Sequence, residues 1–411
     1  MARSTPAQVA RLDREDPLAH KREAFDIPEG VIYLDGNSLG ALPRGVASRL
    51  ADVVSRQWGQ SLIRGWNEHD WIDLPARVGD KIARLIGAER GSVVAADSTS
   101  INLFKVLAAA LKMRPGRKVI LSDSGNFPTD LYMAQGLAAL LASGHELKVV
   151  PPEDVAAAID ETVAVTMITE VDYKTGRRHD MRALTKRAHE AGALAIWDLA
   201  HSAGAFPVDL AGAEADFAVG CGYKYLNGGP GAPAFLYVAP RHRDAVEPPL
   251  TGWMGHAAPF AFDLDYRPAE GVNRMRVGTP PVISLSALDA ALDVFADVDM
   301  RALREKSVSL CELFIAEVEA RCPDLALASP REAALRGSQV SFRCDFGYPL
   351  MQALIARGVI GDFRAPDIVR FGFAPLYLSY RDVFRAAEVL EEIILTRAWD
   401  REKFKKKAKV T

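Results

Sequence analysis

The chain has 411 residues, 49% of them hydrophobic, and a formal net charge of −3. This length fits a large domain plus a smaller one, each with its own core. The near-neutral charge gives no electrostatic case for binding nucleic acid or an acidic membrane surface. No apolar run approaches the ~20 residues of a membrane-spanning helix. Residues 1–24 are polar and lack the apolar core of a signal peptide, so a cytoplasmic protein is expected.

The cysteines and the C-terminus give only broad constraints. The spacing of the cysteines matches neither a metal site nor a redox motif, which favours reduced thiols and predicts no bound metal. The basic stretch 401–409 is predicted to be a solvated or frayed end. The cysteines are Cys221, Cys311, Cys322 and Cys344.

The N-terminal part of the chain alternates short elements with polar turns. Residues 8–23 predict a charged helix and residues 31–35 a strand. The segment 35–40 is a predicted turn, because Gly and Asn favour positive φ and Asp, Asn and Ser cap. Residues 44–58 predict a helix. The loop 65–72 carries two tryptophans and a histidine, which either pack the loop on the body or form a platform for a substrate ring.

A candidate phosphate site follows the predicted strand 93–96. A helix is expected to begin there and run to about residue 111. Free amides and the positive dipole end at a helix start bind phosphate readily. Helix capping alone would account for only one of these polar residues, so three consecutive hydroxyl residues favour a phosphate site. The cap candidates are Asp97, Ser98, Thr99 and Ser100.

Strands and helices alternate from residue 93 to residue 224, which is typical of a parallel sheet covered by helices. After the strand 119–121, Pro128 fixes the chain so that the ring of Phe127 can lie flat on an aromatic cofactor. Taken alone, this phenylalanine is more typical of a core residue. Further elements are predicted as strands at 164–169 and 193–197 and a helix at 182–192.

Two strand ends carry residues that suit a carbonyl cofactor. One apolar run ends in Asp198, with His201 three positions later. An aspartate at the carboxyl end of a buried strand points into the ligand crevice of open α/β sheets, where it can keep a pyridine nitrogen protonated. The next apolar run leads to Tyr223 and Lys224 among glycines. A lysine in such a place is a usual Schiff-base former. Singly, each residue suits a turn; their combination favours the cofactor.

The rest of the chain predicts a smaller second domain of mixed helices and strands. Near its end, Arg370 lies inside an apolar strand. A buried arginine requires an anion, which is either a structural carboxylate or, as favoured here, the α-carboxylate of a substrate bound in bidentate fashion. The predicted elements are strands at 234–238, 339–344 and 360–363, loops at 252–256 and 277–281, and helices at 283–295 and 349–357.

Over nearly its whole length the sequence resembles the kynureninases, a family of fold-type I pyridoxal-phosphate enzymes. The resemblance rests on residues 197–204, Trp-Asp-Leu-Ala-His-Ser-Ala-Gly, and 223–229, Tyr-Lys-Tyr-Leu-Asn-Gly-Gly. It implies the α/β fold of these enzymes, with a mainly parallel seven-stranded sheet covered by helices and a smaller C-terminal α+β domain. It also implies a homodimer with shared active sites, and hydrolytic cleavage of the Cβ–Cγ bond of L-kynurenine to anthranilate and L-alanine.

The resemblance further implies the residues of the site. Lys224, Tyr223 and Asp198 would be catalytic: the lysine holds pyridoxal 5′-phosphate and moves the α proton, the aspartate keeps the pyridine nitrogen protonated, and the tyrosine relays protons. The other cofactor-binding residues implied are Thr99, Ser100, Phe127, Asp130, Thr169, His201, Trp253 and Thr279. The substrate-binding residues implied are Asn37, Trp66, His256 and Arg370.

Two of these residues are expected to act across subunits. The resemblance implies that Trp253 and Thr279 reach the cofactor phosphate of the partner subunit. Thr279 replaces the asparagine usual in the family and keeps a hydrogen-bond donor on a shorter side chain. Because the expected aryl pocket offers little to a ring hydroxyl, unsubstituted L-kynurenine is favoured over its 3-hydroxy form.

Three other functions are alternatives to this one. A cysteine desulfurase or selenocysteine lyase requires a nucleophilic cysteine on a mobile loop, and residues 361–380 contain none. An aminotransferase uses the same lysine and aspartate, so it stays open. A non-catalytic cofactor-binding regulator is disfavoured because it needs no proton relay, yet the catalytic residues and Arg370 are all retained. The expected domains are 1–45 and 296–400 for the smaller domain, 46–295 for the cofactor-binding domain, and 401–411 for the basic tail.

Overall fold

The computed structural model describes residues 3–408 as thirteen α-helices and fifteen strands, with short 3₁₀ turns between several of them. The helices are α1 (Pro6–Glu15), α2 (Arg44–Asp52), α3 (Gly65–Glu68), α4 (Leu74–Leu85), α5 (Thr99–Lys112), α6 (Pro128–Leu141), α7 (Val155–Ala158), α8 (Met181–Glu190), α9 (Val282–Ala291), α10 (Met300–Arg321), α11 (Gly347–Ile355), α12 (Tyr380–Leu395) and α13 (Glu402–Lys405). The strands are β1 (Phe25–Asp26), β2 (Ile32–Tyr33), β3 (Leu42–Pro43), β4 (Val93–Ala95), β5 (Val119–Asp123), β6 (Glu146–Val150), β7 (Val163–Thr169), β8 (Leu194–Asp198), β9 (Phe217–Gly220), β10 (Phe235–Val238), β11 (Ala326–Leu327), β12 (Gln339–Arg343), β13 (Val359–Ile360), β14 (Asp362–Arg364) and β15 (Ile368–Gly372).

The predicted seven-stranded, mainly parallel sheet is confirmed. Its order is β4-β10-β9-β8-β7-β5-β6, and only β10 runs antiparallel to its neighbours. Residues along a strand alternate between the two faces: Ile196 of β8 packs in the cluster with α5 and α6, whereas Trp197 packs in the cluster on the other face. Because helices cover both faces, the central strands are continuous apolar runs.

The parallel register determines where the strand-end residues lie. Thr169 at the end of β7 stands opposite Asp198 at the end of β8, and Asp198 stands opposite Val219 of β9. The carboxyl ends of these three strands therefore meet at one edge of the sheet, where α/β folds bind ligands.

The C-terminal part forms a second, antiparallel sheet of order β11-β12-β15-β14, which packs against α10 and α11, and α12 packs on α10. The N-terminal strand β2 pairs in parallel with β13, so that the start of the chain adjoins this part. This pairing supports the expected grouping of 1–45 with the smaller domain, whose boundaries remain predictions.

Several predicted elements differ in extent. The helix predicted over 8–23 is α1 followed by a separate 3₁₀ turn, because the chain leaves the helix at Asp16, immediately before Pro17. The helix predicted over 44–58 is α2 continued by a π-helical segment, Val53–Trp58. The strand predicted at 360–363 is split between β13 and β14.

The C-terminal tail is more ordered than its composition predicts. Residues of α13 pack against α11, and the Tyr348 hydroxyl bonds to the carbonyl of Lys406 at 3.2 Å and to the amide of Ala408 at 2.7 Å. The predicted solvated or frayed end is correct for solvation, because residues 401–408 are exposed apart from the half-buried Phe404. The contacts of Tyr348 show that the described part of this end is not frayed, and residue 409 lies outside the described residues. Over residues 3–408, no helix is long and apolar enough to cross a membrane.

The close approach of α4 to the large sheet yields a stability prediction. Gly79 lies so near β4 that a Cβ there would overlap the carbonyl oxygen of Val93, so Gly79→Ala should lower the free energy of unfolding by about 1–3 kcal/mol. Gly136 in α6 has open space around it, and Gly136→Ala should raise the free energy of unfolding by about 0.5–1 kcal/mol. Urea unfolding of both variants tests this, and equal effects would contradict it.

Candidate active site

A cavity of about 220 Å³ lies at the carboxyl edge of the large sheet, beside the start of α5. It brings together residues from strand ends, helix starts and loops that are more than a hundred positions apart in the chain. All the predicted cofactor-binding residues line it except Trp253 and Thr279. Its lining is Thr99, Ser100, Phe127, Thr129, Asp130, Thr169, Tyr173, Asp198, Ala200, His201, Tyr223 and Lys224.

The centre of the cavity is a set of three ionisable groups. Asp198 is 5% exposed, and burial raises the pKa of its carboxyl while the charge of Lys224 lowers it. Burial and the charge of Lys224 hold the pKa of His201 well below its usual range, so its imidazole is neutral at pH 7. Lys224 Nζ lies 2.9 Å from His201 Nε2, and the neutral ring accepts this hydrogen bond from the ammonium group.

A second buried carboxyl lies next to the first. Asp130 in the first turn of α6 is 3% exposed, and its Oδ2 has no hydrogen-bond partner. Burial, together with the negative charge of Asp198, raises the pKa of Asp130 well above its usual range. A buried, unpartnered carboxyl oxygen is costly. The protonated nitrogen of a pyridinium ring is a cation that would satisfy this pair, so the floor of the cavity fits a pyridine cofactor.

The cavity also offers hydrogen-bond donors to an anion. Ser98 is the N-cap of α5 and accepts a hydrogen bond from the amide of Ile101 at 3.4 Å. Thr99 and Ser100 follow in the first turn, with hydroxyls and helix-start amides at the cavity. This arrangement fits a phosphate group, as the run of hydroxyls predicts.

One wall of the cavity is aromatic. Phe127 is 43% exposed even though it precedes a helix that packs on the core, and its ring meets Tyr173 edge-on at 5.2 Å. The chain is held there because the Phe127 amide donates to Asn126 Oδ1 at 2.7 Å and Pro128 starts α6. An exposed, well-positioned aromatic face suits stacking on a flat ring.

The predicted carboxylate-binding arginine is already paired with a carboxylate of the protein. Arg370 on β15 is 1% exposed and forms a bidentate ion pair with Asp362 on β14. The structural-carboxylate alternative is therefore what the structure contains, and binding of a substrate carboxylate by Arg370 stays a prediction. Asn37 is also buried, with its amide 3.1 Å from that of Gln339.

Six predicted residues do not line the cavity within one subunit: Arg370 and Asn37, just described, and Trp66, His256, Trp253 and Thr279. Trp66 packs edge-on against Trp71 at 5.7 Å, and His256 is buried beside Tyr266 at 5.9 Å. Trp253, 40% exposed, contacts Phe260, and Thr279 is exposed. Exposure of Trp253 and Thr279 agrees with the expectation that both act on a partner subunit, and their roles remain predictions.

Sequence reasoning missed several residues that the fold brings to the site. Tyr173 and Thr129 line the cavity, and Ser38 bonds to Arg370 at 2.8 Å. Tyr173 follows the strand end at Thr169, and Ser38 lies in the turn after β2. Their positions shortly after a strand could have identified both as candidate site residues. Asp362 carried no such signal, because only strand pairing places it opposite Arg370.

Solved structures with the same fold include cysteine desulfurases. CsdA from Escherichia coli has a TM-score of 0.77 at 20% identity and covers 92% of this chain and 98% of its own. The enzyme from Thermococcus onnurineus has a TM-score of 0.74 at 22% identity, covering 96% and 100%. A C-DES variant with glycine linked to its PLP cofactor has a TM-score of 0.74 at 17% identity, covering 90% and 99%. These likenesses show the fold alone.

Sequence relatives are far more similar. The kynureninase of Deinococcus radiodurans is 58% identical over 94% of this chain and 97% of its own, and that of Burkholderia pseudomallei is 54% identical over 99% and 100%. Residues 303–390 match the model of the kynureninase C-terminal domain. The chain belongs to the kynureninase family. As a kynureninase it is a pyridoxal-phosphate-dependent hydrolase of carbon–carbon bonds with an amino-acid substrate, and the cavity described above fits that cofactor.

The charged group around Arg370 yields a prediction on pH. Burial and the charge of Asp362 raise the pKa of Asp35 to about 7, so the folded protein retains a proton that the unfolded chain releases near pH 4. The stabilisation from Asp35 is fully present below that lower pH and is lost as pH rises through about 7, by at most about 1.4 kcal/mol per pH unit.

Urea unfolding between pH 5 and pH 9 measures this contribution. The free energy of unfolding should fall with pH more steeply in the unaltered protein than in Asp35→Asn, and the two slopes should converge above about pH 8. Replacement of the exposed Asp324 by Asn should leave the slope unchanged. Parallel slopes for the unaltered protein and Asp35→Asn would contradict the prediction.

Proposed function

We propose that this kynureninase cleaves the Cβ–Cγ bond of L-kynurenine with water at the cavity of Lys224, Asp198 and His201, giving anthranilate and L-alanine. The observation that carries the proposal is the hydrogen bond from Lys224 Nζ to neutral His201 beside the buried Asp198. When bound there, pyridoxal phosphate supplies an electron sink for negative charge at the substrate α carbon.

The charge of each residue at the cavity determines its role in catalysis. Lys224 carries its amine at the centre, where it can take the α proton and return a proton, with His201 as the acceptor of its hydrogen bond. Asp198 provides the negative charge that keeps a ring nitrogen protonated, and Asp130 lies beside it as a second buried carboxyl. Burial raises the pKa of Tyr223 above its usual value, so its hydroxyl stays protonated and can donate to a phosphate or to an oxygen that gains charge.

The cysteines of the chain do not suit the desulfurase alternative. All four cysteines are buried within the described residues, and burial raises the pKa of each thiol. A reactive cysteine is instead exposed and has a lowered pKa. Unsubstituted L-kynurenine remains the favoured substrate, and the aryl-binding roles of Trp66 and His256 belong to the same proposal.

A homodimer is also part of the proposal. Near Trp253 a set of large apolar side chains is exposed in the single subunit, with Phe260 at 59%, Phe262 at 75% and Leu264 at 102%. Exposed apolar patches of this kind commonly mark a protein interface. The proposed dimer covers this surface and brings Trp253 and Thr279 to the partner's cavity.

The catalytic proposal is tested with the protein loaded with pyridoxal phosphate. L-kynurenine should give anthranilate, followed by its fluorescence, and L-alanine in equal amounts. Lys224→Ala should lose the absorbance band of the lysine-linked cofactor and lower the rate by about 10³-fold or more, whereas Lys186→Ala on the exposed face of α8 should leave both unchanged. A keto acid in place of alanine would indicate an aminotransferase instead.

The shared site is tested by mixing two inactive variants. One subunit carries Lys224→Ala and the other carries Trp253→Ala with Thr279→Ala. In a hybrid dimer one site has both defects and the other has neither, so remixing should restore up to about a quarter of the activity. No recovery from subunits that exchange, as verified by mass, would overturn the placement of Trp253 and Thr279.

A further inference from the structure

Arg370 and Asp362 form a pair that the fold itself aligns. They stand directly opposite each other on the antiparallel strands β15 and β14. Arg370 is 1% exposed and Asp362 is 3% exposed, so neither charge has water to stabilise it. Removing one member of such a pair leaves an uncompensated buried charge.

The hydrogen bonds divide the guanidinium into two edges. Asp362 takes the side edge, because its Oδ1 accepts from Arg370 Nε at 2.6 Å and its Oδ2 accepts from Nη2. The end edge, formed by Nη1 and Nη2, faces Ser38 Oγ at 2.8 Å and the carbonyl oxygen of Tyr173 at 2.5 Å. Tyr173 lines the cavity and Arg370 does not, so a substrate carboxylate reaches the end edge by displacing the Tyr173 carbonyl and Ser38 from it.

We infer that Asp362 is the positioning residue for recognition of the substrate carboxylate: it holds the side edge of Arg370 so that only the end edge is presented to the α-carboxylate. A planar guanidinium binds a carboxylate well at either edge, so an anchored side edge leaves one productive orientation. This inference rests on the proposed role of Arg370 in binding that carboxylate.

The surrounding charges support a permanent role for Asp362. Arg364 Nη2 lies 2.7 Å from Asp362 Oδ2, so this carboxylate is shared by two arginines. Ser38 donates to the same oxygen at 3.1 Å while accepting from Arg370. Arg364 adds a second positive charge to this group, which also contains the carboxyl of Asp35.

Asp362→Asn tests the inference, because the amide keeps the shape but accepts only one of the two guanidinium bonds. The KM for L-kynurenine should rise about tenfold or more, while kcat changes by less than about threefold. Inhibition by L-alanine should weaken by the same factor as KM rises, whereas inhibition by L-alaninamide, which lacks the carboxylate, should not change. The holoenzyme is used throughout, and its cofactor absorbance and thermal midpoint verify folding.

Two further variants make the outcomes distinct. Asp367→Asn removes a carboxylate from a partly exposed pair with Arg343, 2.9 Å apart beside the same sheet, and should change none of these constants. Arg370→Lys should weaken inhibition by L-alanine but not inhibition by L-alaninamide. If inhibition by L-alanine is not selectively weakened, the proposed role of Arg370 fails. If Arg370→Lys behaves as expected and Asp362→Asn either has no effect or weakens both inhibitors equally, the inference about Asp362 is overturned.

Should Asp362→Asn fail to fold, Asp362→Glu keeps the charge but moves it by one methylene. The inference then predicts the same selective loss of L-alanine binding, since the guanidinium is displaced although its charge remains paired. Unchanged L-alanine binding in Asp362→Glu would overturn it.

Discussion

The burial of the Asp198 carboxylate at the end of β8 is the constraint on which the active site depends. A carboxylate with so little exposure is stable only beside positive charge or donors. Lys224, on the loop after the neighbouring strand, supplies that charge, and the backbone amide of Ala200 supplies a donor at 2.8 Å. Asp130 adds a second buried carboxyl whose pKa is raised by burial and by the charge of Asp198, so the two carboxyls together favour a bound proton or a cation such as a protonated ring nitrogen.

At the substrate end of the site a buried charge also requires an opposite charge beside it, but here the buried charge is positive. There the buried charge is the guanidinium of Arg370, and the pairing strand brings Asp362 to it. The two ends come from different sheets, and Tyr173 connects them, because it lines the cavity and its carbonyl accepts from Arg370. The position of the substrate relative to the cofactor is thus a matter of how the two sheets pack.

Much of the fold and the cofactor end of the site could be predicted from the sequence. The alternation of apolar strands and helices gave the parallel sheet, and Asp198 and Thr99 were identified by their place at a strand end and a helix start. Elements of the smaller domain were predicted less well. Short strands such as β13 and β14 are defined by their partners, β2 and β15, rather than by a local pattern.

The sequence by itself determined which residues stand at the carboxyl edge of the large sheet, because a strand's direction fixes where its last side chain lies. Only the tertiary structure decided which side chains are in contact. It shows that Lys224 donates to His201 and that Asp362 holds Arg370. It also shows that Trp253 and Thr279 lie outside the cavity of their own subunit. The physical reason is that hydrogen bonds and ion pairs depend on distances of a few ångströms between segments far apart in the chain, and packing alone sets those distances.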